Sequence, residues 1–157
     1  NCARRPNRQP RKKGGASNVS LRTKSREFAM QMLFQWDMSK QDLAKLEGKF
    51  WKGAKAAEQT RSFANLLFEG AAHDSMPLDE LISKHADNWR LERLAAIDRA
   101  ILKLALHEMR ATDTPPKVVI NEAVELAKKF SSPEAGKFVN GILDGYRKSL
   151  QAKPQEK

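Results

Sequence analysis

The side chains best placed to do chemistry are the cationic ones near the N-terminus. Residues 1–26 contain nine Lys or Arg side chains and no acid, whereas residues 27–157 contain 20 basic and 19 acidic side chains. The nine are Arg4, Arg5, Arg8, Arg11, Lys12, Lys13, Arg22, Lys24 and Arg26. The net charge of +10 is therefore carried almost entirely by this first segment. Clustered Lys and Arg attract phosphate, so the distribution favours nucleic acid as the partner.

Residue types that support catalysis or metal binding are present, but not in a useful arrangement. His73, His85 and His107 lack the spacing of metal ligands, and Cys2 has no neighbouring base. The Gly-Gly pair at residues 14–15 neither follows a strand nor precedes Lys-Ser or Lys-Thr, so it is not a phosphate-binding loop. We therefore expect no enzyme, no bound metal and no cofactor.

The composition favours an all-α protein that does not enter a membrane. Leu and Ala are abundant, while Val, Ile and Thr are scarce. No apolar run approaches the ~20 residues that a membrane span needs, and Lys103 interrupts the best one. A single cysteine can form no internal disulfide, so a cytoplasmic location is expected.

The charge and turn residues divide the chain into three parts. Residues 1–20 are expected to be a disordered basic arm, residues 21–150 the folded domain, and residues 151–157 a flexible tail. The arm could also be a solubility tail, an organelle transit peptide or a lipid-binding segment. The last two are disfavoured because residues 1–20 lack an apolar face.

Apolar residues recur with the period of a helix along the folded part, which predicts about seven helices. The first three predicted helices span about 21–38, 42–51 and 56–72, and the fourth opens at Pro77 and carries Leu78, Leu81 and Ile82. The last three span about 91–110, 117–130 and 133–146. The fifth is apolar over a wide arc and is therefore expected to be central. Between the last two, Ser131 or Ser132 is suited to cap a helix, and Pro133 suits its first turn.

The segment from Lys117 to Tyr146 carries the most specific pattern of the chain. It reads KVVINEAVELAKKF, then SSPEAG, then KFVNGILDGY. Two further segments are distinctive, SREFAMQMLFQWDMS at residues 25–39 and NWRLERLAAIDRAILKLALHEM at residues 88–109. With these three segments the chain closely resembles the family of NusB transcription antitermination factors of bacteria.

The resemblance implies a fold, a function and partners. NusB-like proteins are all-helical and consist of two packed helical bundles. They bind the boxA element of nascent RNA, which is single-stranded, together with NusE, a protein of the small ribosomal subunit. The complex joins RNA polymerase and promotes antitermination during ribosomal RNA synthesis. On this resemblance we expect an RNA-binding antitermination factor with these partners, and a homodimer stays open.

The resemblance also implies where the binding residues lie. The family's basic motif falls on Arg22, Lys24 and Arg26, with Thr23 at a position where arginine is common. The RNA-binding candidates are Arg22, Lys24, Arg26, Phe34, Lys137 and Phe138, and the protein-partner candidates are Asp98, Arg99 and Glu108. Base stacking and core packing both stay open for Phe34 and Phe138. For Asp98, helix capping and a partner contact are equally open.

Three other functions stay open on the sequence. A NusB-like domain also forms the N-terminal part of a family of ribosomal RNA cytosine methyltransferases, which would require a longer chain with a cofactor-binding α/β region. The helices could instead bind duplex DNA. The domain could also be a protein-interaction scaffold whose basic tail is incidental.

Overall fold

The computed structural model describes residues 13–86 and 94–152. Within these residues there are seven helices and no strand. The helices are α1 (Lys13–Ser39), α2 (Leu43–Gly53), α3 (Glu58–His73), α4 (Ser75–His85), α5 (Ala96–Ala111), α6 (Pro116–Phe130) and α7 (Pro133–Ala152). The predicted all-α class and the seven helices are confirmed.

Two helices begin five or more residues from their predicted starts. Helix α1 starts at Lys13 rather than near residue 21. Extending a helix that is already packed costs less than nucleating a new one, which allows α1 to continue into the basic segment. Helix α5 starts at Ala96, so the predicted start near residue 91 is wrong. Residues 1–12, 87–93 and 153–157, which include most of the predicted arm and tail, lie outside the described residues.

The late start of α5 follows from how its first turn is capped. Ala95 has an extended backbone (φ −67°, ψ 149°) and its side chain cannot cap a helix. Instead the Asp98 carboxylate, in the first turn, accepts a hydrogen bond from the Ala95 N–H. This contact is the reverse half of a capping box, and the acid also suits the positive end of the helix dipole. Apolar periodicity continues through Leu94 and therefore hides this boundary.

Helix α5 is the centre of the fold, as its wide apolar arc predicted. Every residue from Ala100 to Leu106 is buried. The helix packs against α1, α3, α4, α6 and α7. Helices α1, α2 and α3 form one group and helices α4, α6 and α7 another, and both groups pack against α5.

The central helix also carries a buried lysine. The Lys103 side chain is only 2% exposed, and its Nζ donates a hydrogen bond to Ser75 Oγ at 2.7 Å. The same Nζ lies 3.3 Å from Asp79 Oδ1 and 3.7 Å from Asp37 Oδ1. A buried charge is tolerated only when paired, so these two carboxylates hold α1 and α4 to α5.

The α6–α7 connection is built as its residues predicted. Helix α7 starts at Pro133, where the missing N–H and fixed φ of proline fit the first helical position. Ser132 Oγ accepts a hydrogen bond from the Ala135 N–H at 3.0 Å, which is the N-cap contact. The two helices then pack along their length as an antiparallel pair. This tight turn places Lys137 and Phe138 in the first turns of α7.

Candidate nucleic-acid interface

Two of the three predicted cations of α1 reach the solvent. Arg22 and Lys24 are exposed, whereas Arg26 is buried. Arg22 and Arg26 lie four residues apart on the same side of the helix, and both guanidinium groups lie near the Phe63 ring of α3. Lys24 lies on a different side, where its Nζ is 3.4 Å from Glu27 Oε1 and 5.5 Å from the centre of the Phe28 ring. The two exposed cations thus project from different sides of α1 and do not form a single row.

Arg26 is fully engaged by two carboxylates. Its Nε and Nη2 donate to Oε1 and Oε2 of Glu108 at 2.9 and 2.6 Å, and its Nη1 donates to Glu122 Oε1 at 3.2 Å. Burial alone would lower the pKa of Arg26, but the hydrogen bonds and charges of Glu108 and Glu122 outweigh it and raise the pKa. The guanidinium is therefore charged, and it joins α1 to α5 and α6.

Thr23 completes this network. Its hydroxyl donates to the same Glu122 oxygen, Oε1, at 2.9 Å. Further along α1, Glu27 Oε2 accepts from Lys129 Nζ of α6 at 2.6 Å. Helix α1 is thus fixed to α6 by side chains of both charges along the stretch that carries Arg22 and Lys24. The sequence marked Thr23 as a lost cation, whereas the structure gives it a polar contact with α6.

Phe63 of α3 is the aromatic residue that lies against Arg22. The Arg22 guanidinium carbon lies 4.0 Å from the centre of the Phe63 ring, and that of Arg26 lies 5.8 Å away. Phe63 was not among the residues predicted to bind, so this contact was missed. No local signal could have revealed it, because the two residues are 41 positions apart and meet only when α1 packs on α3.

The two aromatic candidates for RNA binding are both partly buried. Phe34 and Phe138 are half-buried and both pack against the hydrophobic core. Most of the surface of each side chain is therefore covered by the core, which is one of the two roles that the sequence left open. Lys137, beside Phe138, is exposed and available to a partner.

The three predicted protein-partner residues differ in exposure. Glu108 is 1% exposed and is held by Arg26, so the structure joins a predicted RNA contact to a predicted partner contact in one ion pair. Asp98 is 7% exposed, and burial raises its pKa while hydrogen bonds from Ser131 and the Ala95 N–H oppose the rise. Only the Arg99 side chain, 33% exposed and 3.6 Å from Asp79, faces solvent to a useful extent.

A pair of carboxylates lies between α2 and α3, away from the cations. Burial raises the pKa of Glu47 to about 8, and a hydrogen bond with Glu69 and its charge add to the rise. Glu47 Oε2 is buried without a hydrogen-bond partner among the described residues, and a proton shared with Glu69 would satisfy it. Burial lowers the pKa of His107, which lines the same cavity, so this imidazole offers no compensating charge at neutral pH.

Glu47 should therefore make stability depend on pH. The folded protein retains a proton that the unfolded chain releases above its ordinary pKa of 4.5, so the free energy of unfolding should fall as the pH rises toward 8. Replacing Glu47 with Gln should stabilise the protein at pH 8.5 more than at pH 5.5. Urea denaturation at both values measures this. Glu125→Gln, at an exposed position of α6, is the control. An equal change in the free energy of unfolding for the two variants would contradict the shared proton.

Other classes of site were sought in the described residues. No three His, Cys, Asp or Glu side chains within them converge in a way that could hold a metal ion. Among the described helices, none combines the length and the apolar character required to cross a bilayer. The chemistry available at the α1 face is therefore attraction of anions by Arg22 and Lys24 next to an aromatic ring.

Comparison with known proteins identifies the family. The model of the NusB family matches residues 23–148. The transcription antitermination protein NusB of Koribacter versatilis (strain Ellin345) is 50% identical over 141 residues, which cover 88% of this chain and 97% of the relative. Its counterpart from Bacillus subtilis (strain 168) is 45% identical over 131 residues, covering 83% and 97%.

Solved structures agree with this result. NusB of T. maritima superposes with a TM-score of 0.72 at 32% identity, covering 81% of this chain and 90% of that one. A chain from a complex of the antitermination factors NusB and NusE with double-stranded RNA has the same TM-score at 28% identity, covering 83% and 98%. Family model, sequence relatives and fold coincide over the same residues, so the chain belongs to the NusB family.

Proposed function

We propose that this protein is an RNA-binding transcription antitermination factor that binds boxA-type RNA together with NusE and promotes ribosomal RNA transcription. Membership of the NusB family over residues 23–148 is the observation that carries the proposal. The relatives are named transcription antitermination proteins, and one structural neighbour comes from a complex of NusB and NusE with double-stranded RNA. The protein is not an enzyme, and it acts by recognition within the antitermination complex of RNA polymerase in the cytoplasm.

The charge distribution supports RNA as the ligand. Arg26 is paired with Glu108 and Glu122, which leaves eight of the nine cations in residues 1–26 as candidates for RNA contacts. Two of these eight, Arg22 and Lys24, project from a helix that is anchored to the body of the protein. Such cations attract the phosphates of any nucleic acid, and sequence preference must come from contacts to exposed bases. Lys137 is the proposed cation on α7.

Arg26 has a positioning role in this proposal. Because its three donor nitrogens are directed at Glu108 and Glu122, it fixes the register of α1 against α5 and α6. Arg22 and Lys24 are held in place by this anchor. On the partner side we propose Arg99 as the contact with NusE, with Asp98 supporting it through the first turn of α5.

Binding of boxA-type single-stranded RNA with and without NusE tests the function. Fluorescence anisotropy should show binding by this protein alone, and NusE should tighten it at least about tenfold because it adds RNA-contacting surface. RNA of the same composition in scrambled order is the control, and duplex RNA and duplex DNA serve as competitors. Equal affinity for boxA-type and scrambled RNA, with no effect of NusE, would reject the proposal.

A further inference from the structure

A groove runs between α1 and α3 beside the exposed cations. Its volume is about 820 Å³, and its wall includes Arg22 and Phe63 together with the exposed Leu66. We propose that this groove holds one unstacked base of single-stranded RNA against the Arg22–Phe63 pair. This base site deepens the proposed function and rests on it.

The Arg22 guanidinium, packed over the Phe63 ring, supplies a flat surface of the kind that bases stack on. Bases extruded from single-stranded RNA stack on aromatic rings and on guanidinium planes. The guanidinium carbon lies 4.0 Å from the ring centre, so Phe63 supports Arg22 from beneath. The faces of a guanidinium are apolar and its N–H groups lie in the plane. Arg22 can therefore stack on a base and still donate to a phosphate at its edge.

The charge of the groove favours a neutral base over a phosphate. The negative charge of Glu58, which also lines the groove, nearly cancels the positive charge of Arg22 there. A phosphate inside would meet the Glu58 carboxylate. A base would instead offer it ring N–H and amino donors, with Gln59 and Ser62 as further hydrogen-bonding groups. The groove, at about 820 Å³, also has the size usual for small-molecule sites, which is ample for one nucleotide.

The groove adjoins the exposed cations of α1 that we propose attract phosphate. Arg22 lines the groove, and Lys24 lies two residues further along α1 on a different side of the helix. An RNA strand that follows the exposed cations would therefore pass the groove opening, where one base can turn inward.

Abasic RNA combined with a Phe63 variant tests the base site. A set of boxA-type RNAs, each lacking one base, should contain one whose affinity for the wild-type protein falls about 5- to 150-fold, the range for loss of one stacked base. Phe63→Leu should bind intact RNA more weakly by a similar factor and be insensitive to loss of that same base. The salt dependence of binding should not change, because no charge is removed.

Trp36→Leu is the matched control. It also removes a half-buried ring with a cation near it, Lys40 Nζ at 5.1 Å, but on α1 about 21 Å from Arg22 along the helix axis. This variant should keep the affinity and the abasic profile of the wild type. If Phe63→Leu fails to fold, as judged by circular dichroism, the double variant Gln59→Ala, Ser62→Ala takes its place. It should also bind intact RNA more weakly and be insensitive to loss of that same base.

The outcomes separate the base site from the function. Should Phe63→Leu bind intact RNA as tightly as the wild type, or remain fully sensitive to every abasic position, the groove does not hold a base. A variant that loses only the enhancement by NusE would assign the groove to a protein contact and overturn the base site. If the wild-type protein binds no RNA at all, the function falls first and the base site with it.

Discussion

Replacing Glu108 with alanine is expected to lower the free energy of unfolding by about 3–5 kcal/mol, the usual cost of leaving a buried charge without its partner. The Arg26 guanidinium would retain only Glu122 Oε1 at 3.2 Å and lose both oxygens that it now binds at 2.6 and 2.9 Å. For a chain of 157 residues the melting temperature should fall by about 6–20 °C. Urea denaturation and thermal melting followed by circular dichroism measure both quantities.

Two variants make this prediction specific. Glu125→Ala removes a carboxylate that is 72% exposed, so its effect should stay within about 0.5 kcal/mol. The double variant Arg26→Met, Glu108→Leu replaces the ion pair by apolar side chains and should recover most of the lost stability. A Glu108→Ala protein as stable as Glu125→Ala would show that the Arg26–Glu108 pair does not anchor α1.

The affinity for single-stranded RNA is expected to fall steeply with salt. If five to eight phosphates are neutralised by the remaining cations of residues 1–26, affinity should drop by about two to three and a half decades between 50 and 200 mM salt. The cause is release of counterions from RNA, which is less favourable when salt is abundant. Dissociation constants at three or more salt concentrations provide the slope. A change in affinity of less than about threefold over this range would refute a largely electrostatic attraction between these cations and RNA.

The sequence was sufficient to predict the class, the number of helices and the α6–α7 turn. These features are local: Ser132 and Pro133 specify a helix start by their own chemistry, and the apolar period specifies a buried face. The start of α5 was missed because its cap is Asp98 acting from inside the helix on an alanine N–H. A capping residue that precedes the helix would have been visible to the same reasoning.

The binding face was harder to predict than the helices. Arg22, Lys24 and Arg26 look alike in sequence, all in a segment without acids. Only packing distinguishes Arg26, because its two carboxylate partners lie 82 and 96 residues away on α5 and α6. The Arg22–Phe63 contact is equally non-local. The basic character of the segment could thus be predicted from the sequence. Which of its cations are exposed and which is buried in an ion pair depends on the tertiary fold.

The central claim is that Arg22 and Lys24 contact the phosphates of RNA while Arg26 holds their helix in place. The most direct measurement is the slope of log affinity against log salt for the variant Arg22→Ala, Lys24→Ala. The control is Lys49→Ala, Lys52→Ala, which removes two exposed cations from α2. We predict a slope shallower by about 1.4 and weaker binding for the first variant, with helical circular dichroism unchanged, and no change for the second. Wild-type slopes in both variants, or equal losses in both, would contradict the claim.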